Sequence, residues 1–243
     1  MSKKNRIRIY IDADLVVGNV VECDEKQSHY LINVMRLKQG DEVFVFNGRD
    51  GEFCSQVKTI QKKKCELLVV SRFCEYRKSP DIWLLFAPLK KNNMDFVVEK
   101  ATELGVQKII PIISEYTSNL HPNVERMKTQ VIEACEQCRR QDVPVVENCI
   151  DLKKLLSNWD KNRKLIYLDE TLQSEVAKVQ MERCLEPVAI LVGPEGGFSE
   201  KELENLRKLD YTYGVSLGNR ILRAETAAIA ALSCWQALAG DWQ

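Results

Sequence analysis

Hydrophobic and polar positions alternate over the first third of the chain. RIRIYI (6–11), EVFVFNG (42–48), EFCSQVKTI (52–60) and KCELLVVS (64–71) are short runs rich in β-branched and aromatic residues, and they predict strands. Asn47-Gly48 and Asp50-Gly51 are tight-turn dipeptides between them. SHYLINVMRLKQG (28–40) predicts one helix, with Tyr30, Leu31, Val34, Met35 and Leu37 as its apolar residues. Short strands at this spacing suggest a small β-barrel over residues 1–72. FCEYRKSP (73–80), charged and ending in Pro, reads as a linker.

From residue 81 the period changes. Strand-like runs at 82–88, 108–113, 143–149, 164–169, 188–193 and 213–218 alternate with helical patterns. In NNMDFVVEKATELG, Met94, Val97, Val98, Ala101 and Leu104 share one face, and Gly105 closes the helix. In VERMKTQVIEACEQC the stripe is Met127, Val131, Ala134, Cys135 and Cys138. Ser199 with Glu202 three residues on forms a capping box. The segment 225–240 is almost wholly apolar and predicts a helix buried against the sheet or a partner subunit. Repeated β–α alternation predicts an α/β domain over residues 81–243 with a mainly parallel sheet covered on both faces.

Composition narrows the class. Hydrophobic residues make up 45% and charged residues 29%, the balance of a soluble globular protein. MSKKNRIRIYI lacks the apolar core of a signal peptide. The uncharged run between Glu225 and Asp241 falls short of the ~20 apolar residues a membrane span needs. The nine cysteines then read as reduced thiols of a cytoplasmic protein. Cys135 and Cys138 form the sole CxxC, and His29 and His121 are the sole histidines, so no metal site is expected. Net charge is zero, but residues 1–80 carry 15 Lys/Arg against 11 Asp/Glu while residues 81–243 carry 20 against 24. A basic front on an acidic back is the asymmetry expected when one domain meets phosphate.

In open α/β sheets, ligands bind beyond the carboxyl ends of the strands. Two such ends stand out. VAILVGPEGGF (188–198) runs from a buried strand into Gly193, Gly196 and Gly197, and VSLGNRILRAETAA (215–228) runs from a strand through Gly218 into the apolar helix. Neither GxxxxGK[ST] nor GxGxxG is present, which excludes a P-loop and a dinucleotide fingerprint. Spacing alone leaves the ligand unnamed, and a plain strand-to-helix turn remains an equal reading of GPEGG.

LVGPEGGFSEKEL followed by LGNRILRAETAAIAAL resembles the two carboxyl-terminal motifs of the RsmE family, the 16S rRNA uracil-N3 methyltransferases of the SPOUT class. HYLINVMRLKQGDEVFVFNGRDGEF (29–53), KKNNMDFVVEKATELGVQKIIPIISEYT (90–117) and RMKTQVIEACEQCRRQDVPVV (126–146) are similar to that family's earlier blocks, so the likeness runs the length of the chain. The chain departs from the family's pattern at Asn219, usually Pro, at Ala224, usually Thr, and around Cys138.

The resemblance implies an amino-terminal PUA-like RNA-binding barrel and a carboxyl-terminal SPOUT domain whose tail threads a trefoil knot. It implies S-adenosyl-L-methionine as cofactor, held by Leu191, Val192, Gly193, Pro194, Glu195, Gly196 and Gly197, by Leu217, Gly218, Asn219, Ile221, Leu222 and Arg223, and by Leu168 alongside. It implies a homodimer acting on the 16S rRNA of the small ribosomal subunit. The alternatives are a SPOUT enzyme acting on tRNA or on a ribose 2′-hydroxyl, and a non-catalytic RNA-binding assembly factor.

Methylating N3 of uracil removes a proton and spreads charge onto the flanking carbonyls. Arg223 is the candidate for stabilising that charge, and Glu225, or else Glu195, for taking the proton. Glu225 also lies in a first helical turn, where a carboxylate is stabilising anyway and could pair with Arg223. Arg6, Arg8, Arg36, Lys38 and Arg49 are candidate phosphate contacts, and His29 is matched by the amino-terminal signature. A stacking aromatic is expected for the flipped base, with nothing in the sequence to choose it.

Overall fold

The structure, a computed structural model, describes residues 6–61, 64–118, 121–171 and 175–242. Residues 1–5, which begin the segment read for a signal peptide, lie outside them. The chain forms two compact units.

The first unit comprises residues 6–78 with Cys135–Val143. Its strands are β1 (Arg8–Tyr10), β2 (Val20–Glu22), β3 (Glu42–Phe46), β4 (Glu52–Gln61) and β5 (Lys64–Cys74), in the order β1-β3-β4-β5-β2. β1 runs parallel to β3, and the other neighbours are antiparallel. Period-2 burial builds the core: Val43 and Val45 from β3, and Cys65, Leu67 and Val69 from β5, face Ile9, Leu31 and Phe53. Three register shifts between β4 and β5 bend that hairpin. Bulges increase local twist, which lets a short sheet wrap round its core.

The helix expected over 28–40 is displaced. Its first turn, α1 (Glu25–His29), starts earlier, because Asp24 and Gln27 cap it reciprocally. Tyr30–Val34 then widens into a π-helical turn, closed by Met35 N–H on Tyr30 O at 2.9 Å. Arg36, at φ 56°, ends it. The widening turns Tyr30, Val34 and Met35 outward (39%, 57% and 37% exposed), leaving Leu31 as the turn's core residue.

The second unit comprises Ser79–Ala134 and residues 144–242. In chain order it contains β6 (Ile82–Phe86), α2 (Lys91–Glu103), β7 (Lys108–Ile113), most of α3 (Val124–Cys138), β8 (Val145–Val146), β9 (Ile150–Asp151), α4 (Leu152–Ser157), β10 (Lys164–Leu168), β11 (Glu175–Val176), α5 (Ala177–Arg183), β12 (Val188–Val192), α6 (Glu200–Arg207), β13 (Thr212–Ser216) and α7 (Ala224–Leu238). The sheet order is β11-β13-β10-β12-β6-β7-β8, and every pairing is parallel. Of the run expected over 143–149, β8 takes only Val145–Val146; it starts after Pro144, which carries no N–H for the ladder. The chain rejoins β7 at β9.

β12 is buried at all five positions, as a central parallel strand must be. Leu85, Leu165, Tyr167, Ala189 and Leu191 pack with Leu152 of α4 and with Leu203 and Leu206 of α6. The apolar tail helix α7 packs on α2, α5 and β12. Its Trp235 is fully buried and donates from Nε1 to Cys184 O at 2.7 Å.

Candidate active site

Three neighbouring parallel strands end together. β10 lies between β12 and β13, with Tyr167 opposite Leu191 and Leu168 opposite Val215. The loops leaving these strands, 169–171, 193–199 and 217–223, therefore start from one edge of the sheet. Between them lies a cavity of about 460 Å³. That volume is within the usual range of small-ligand pockets, roughly 300–1,000 Å³.

The glycine turn is shaped by its neighbours. Gly197 N–H closes it on Pro194 O at 2.9 Å with φ +71°. A Cβ at Gly197 would run into the Glu170 carboxylate, and one at Gly193 would come within 3.1 Å of the Phe198 ring. Gly197 is favoured by its left-handed backbone, whereas at Gly193 a side chain would need the Phe198 ring to give by a few tenths of an ångström. The capping box read in the sequence is present: Ser199 N–H donates to Glu202 Oε2 at 3.0 Å and the Ser199 hydroxyl caps Glu202 N–H.

Leu168, Val192, Gly193, Pro194, Glu195, Gly197, Leu217, Gly218, Asn219, Ile221, Leu222 and Arg223 all line the cavity. Two expected residues do not. Leu191 is fully buried in the core shared with α4 and α6, because its side chain points off the sheet face and away from the strand end. Gly196 turns its Cβ direction toward Tyr116, 3.4 Å away.

The structure adds lining residues that the sequence reading missed, chiefly Asp169, Glu170, Thr171, Phe198 and Arg220. The signal was there in the Asp-Glu-Thr that follows a buried strand. Asp169 Oδ1 accepts from Thr171 N–H at 2.9 Å and from its hydroxyl at 2.6 Å, so this 4%-exposed carboxylate builds the loop.

Arg223 is the exposed residue before α7, at φ −64° and ψ 152°. Glu225 accepts from Asn93 Nδ2 at 3.1 Å, so its partner comes from α2. Apolar walls from Leu168, Val192, Leu217 and Leu222, close backbone at the glycines, and the Glu170 and Glu195 carboxylates suit an adenosine carrying a cationic sulfur.

A scan against family models matches an RNA methyltransferase domain over residues 77–236 and an RNA methyltransferase PUA domain over residues 24–70. The small-subunit ribosomal RNA methyltransferase E of Rickettsia conorii is 35% identical over 93% of both chains. The chain belongs to the ribosomal RNA small subunit methyltransferase E family. The Bacillus subtilis member is 29% identical over 86% of each chain. Among solved structures, the Neisseria gonorrhoeae member bound to S-adenosyl methionine is 28% identical with a TM-score of 0.89, covering 98% of this chain and all of that one. A Legionella pneumophila protein solved with its bound cofactor SAM is 32% identical, also with a TM-score of 0.89 and the same coverage. The fold is accordingly a PUA domain followed by an RNA methyltransferase domain.

In the first unit, the candidate RNA contacts divide by environment. His29, Arg36 and Lys38 are exposed. Arg6 is exposed and lies over Phe44 and Phe73, its guanidinium carbon 5.0 and 4.6 Å from the ring centres. Arg49 is exposed and pairs with Asp14 at 2.7 Å.

Arg8 has to be withdrawn from the phosphate contacts. It is 7% exposed, pairs with Glu52 at 2.9 Å, donates to Cys135 O and Arg140 O at 2.6 Å each, and lies over Phe46. Each of its three nitrogens donates inside the unit. Among the described residues no group of three or more His, Cys, Asp or Glu could hold a metal, and no helix is long and apolar enough to cross a membrane.

Proposed function

We propose that this chain methylates N3 of a uracil in the 16S rRNA of the small ribosomal subunit, using S-adenosylmethionine. The observation that carries the reading is the cavity at the ends of β10, β12 and β13, lined from both the glycine turn and residues 217–223. The names of its relatives, ribosomal RNA small subunit methyltransferase E, support the substrate class. The tail from Leu217 into α7 is read as the knotted segment of the SPOUT class. The first unit serves as the RNA-binding domain and the second as the methyltransferase domain; the expected bounds 1–72, 73–80 and 81–243 shift because β5 runs to Cys74 and Cys135–Val143 join the first unit. The working form is a cytoplasmic homodimer, with the half-exposed positions of α7 as part of the subunit contact.

When bound, the cofactor supplies an electrophilic methyl group. Leu168, Val192, Leu217 and Leu222 exclude water from it, and the glycine turn and residues 217–223 offer backbone groups to its polar edges. Arg223 stabilises the charge that spreads over the uracil carbonyls as N3 loses its proton and attacks the methyl carbon. Glu225, oriented by Asn93, takes the N3 proton. The N3–methyl bond forms as the sulfur–methyl bond breaks, leaving a neutral thioether. Arg36, Lys38 and Arg49 meet phosphate, where a cation positions the RNA without reading its sequence.

Labelled methyl transfer onto unmodified small subunits, followed by nucleoside analysis, tests the proposal. Label in 3-methyluridine of 16S rRNA is expected. Label in tRNA or on a ribose 2′-hydroxyl, or none at all, would overturn it.

A further inference from the structure

We infer that the ring of Tyr116 is the stacking surface for an unpaired base of the RNA substrate, an inference that rests on the function proposed above. Tyr116 follows β7 and is 53% exposed. Its Cβ is 3.4 Å, and its Cγ and Cδ2 3.9 Å, from the position a Cβ would take on Gly196. Gly196 stands between Glu195 and Gly197, both of which line the cofactor cavity. A bulky ring is thus seated on the one residue of the turn that faces away from the cavity wall.

The backbone carrying that ring is fastened on both sides. Ser114 N–H donates to Thr117 Oγ1 at 2.8 Å, and Thr117 N–H donates to Ser114 O at 3.1 Å. Glu115 N–H donates to Glu202 Oε1 at 2.9 Å, and the Ser199 hydroxyl donates to Glu115 Oε2 at 2.7 Å. Ser199 and Glu202 are the capping box of α6, so the Tyr116 loop is tied to the helix that leaves the glycine turn. A fixed backbone with a solvent-facing aromatic loses little freedom on binding.

The other aromatic at the turn is already used. Phe198 lies against Gly193 and lines the cavity. N3 lies in the Watson–Crick edge, so the acceptor must be unpaired, and an unstacked base of the bound RNA gains from a flat, solvent-facing partner beside the glycine turn.

The test is methyl transfer to unmodified small subunits by Tyr116→Ala, Tyr116→Phe and Tyr116→Trp, with cofactor affinity measured by calorimetry and assembly by sedimentation. The alanine variant is expected to lose about 10- to 100-fold in kcat/KM for the subunit. Its affinity for S-adenosylmethionine and its sedimentation should be unchanged, and Phe and Trp should retain most of the rate. Retained kcat/KM in the alanine variant, or an equal loss with Phe, would overturn the inference. So would a loss that follows cofactor affinity or assembly. A wild-type protein inactive on small subunits would sink the proposed function itself, which separates the two failures.

Discussion

Asn93 in the first turn of α2 donates from Nδ2 to Oε1 of Glu225 in the first turn of α7, at 3.1 Å. The two residues are 132 positions apart in sequence. The bond engages one oxygen of the carboxylate proposed as the base. Glu225→Gln is expected to lower kcat at least about 100-fold, the low end for a general base. Asn93→Ala should cost about ten-fold, since hydrogen bonds to charged groups contribute roughly 1.5–3 kcal/mol and this one is half-exposed. Single-turnover rates at saturating cofactor check both, with cofactor affinity as the control.

Gly197→Ala meets two obstacles, φ +71° and the Glu170 carboxylate. The backbone cost alone is roughly 1–2 kcal/mol. The variant should bind S-adenosylmethionine at least about ten-fold more weakly, which is about 1.4 kcal/mol. Adding Glu170→Ala should restore part of that affinity, because the obstructing atoms belong to a side chain. Calorimetric titration of the single and double variants measures the recovery.

Arg8→Ala leaves Glu52 buried without its ion partner. Removing one partner of a buried pair costs about 3–5 kcal/mol. Lys38→Ala removes an exposed cation and should leave stability within about 0.5 kcal/mol. Its RNA affinity should fall, with the salt slope reduced by about one. Urea unfolding and RNA titrations at several salt concentrations separate the structural arginine from the surface lysine.

The elements with local signals were legible in the sequence. The helix over 124–138 and the strand over 108–113 coincide with α3 and β7, because the first has a clear 3.6-residue period and the second is a short apolar run of the kind a buried parallel strand needs. The capping box at Ser199 and Glu202 was legible for the same reason. The helix expected from residue 28 was mistaken because Asp24 and Gln27, its real start signal, lie upstream, and because a π-turn has no period that a 3.6-residue template detects. Arg8 looked like a surface cation, and nothing near it in sequence reveals a bond to Cys135 O, 127 residues on. Both cavity-lining segments were legible, but Glu170 and Phe198 gained their roles from strand order, which only the fold supplies.

Burial pushes the Cys135 thiol up to about 12 and the Cys184 thiol up to about 11. The thiolate is the reactive form, and it accumulates only as pH rises through these values. Both cysteines should therefore resist iodoacetamide at pH 8 in the native protein and react after unfolding. Peptide mapping of the alkylated protein checks this, and rapid native labelling of Cys135 would show that its helix end opens.

Amide hydrogen exchange with and without S-adenosylmethionine tests the cofactor cradle most directly. The account predicts slowed exchange together in residues 193–198 and 217–224, with the Asp169–Thr171 loop following and the first unit unchanged. Saturating cofactor that protects neither segment, or only one, would contradict it.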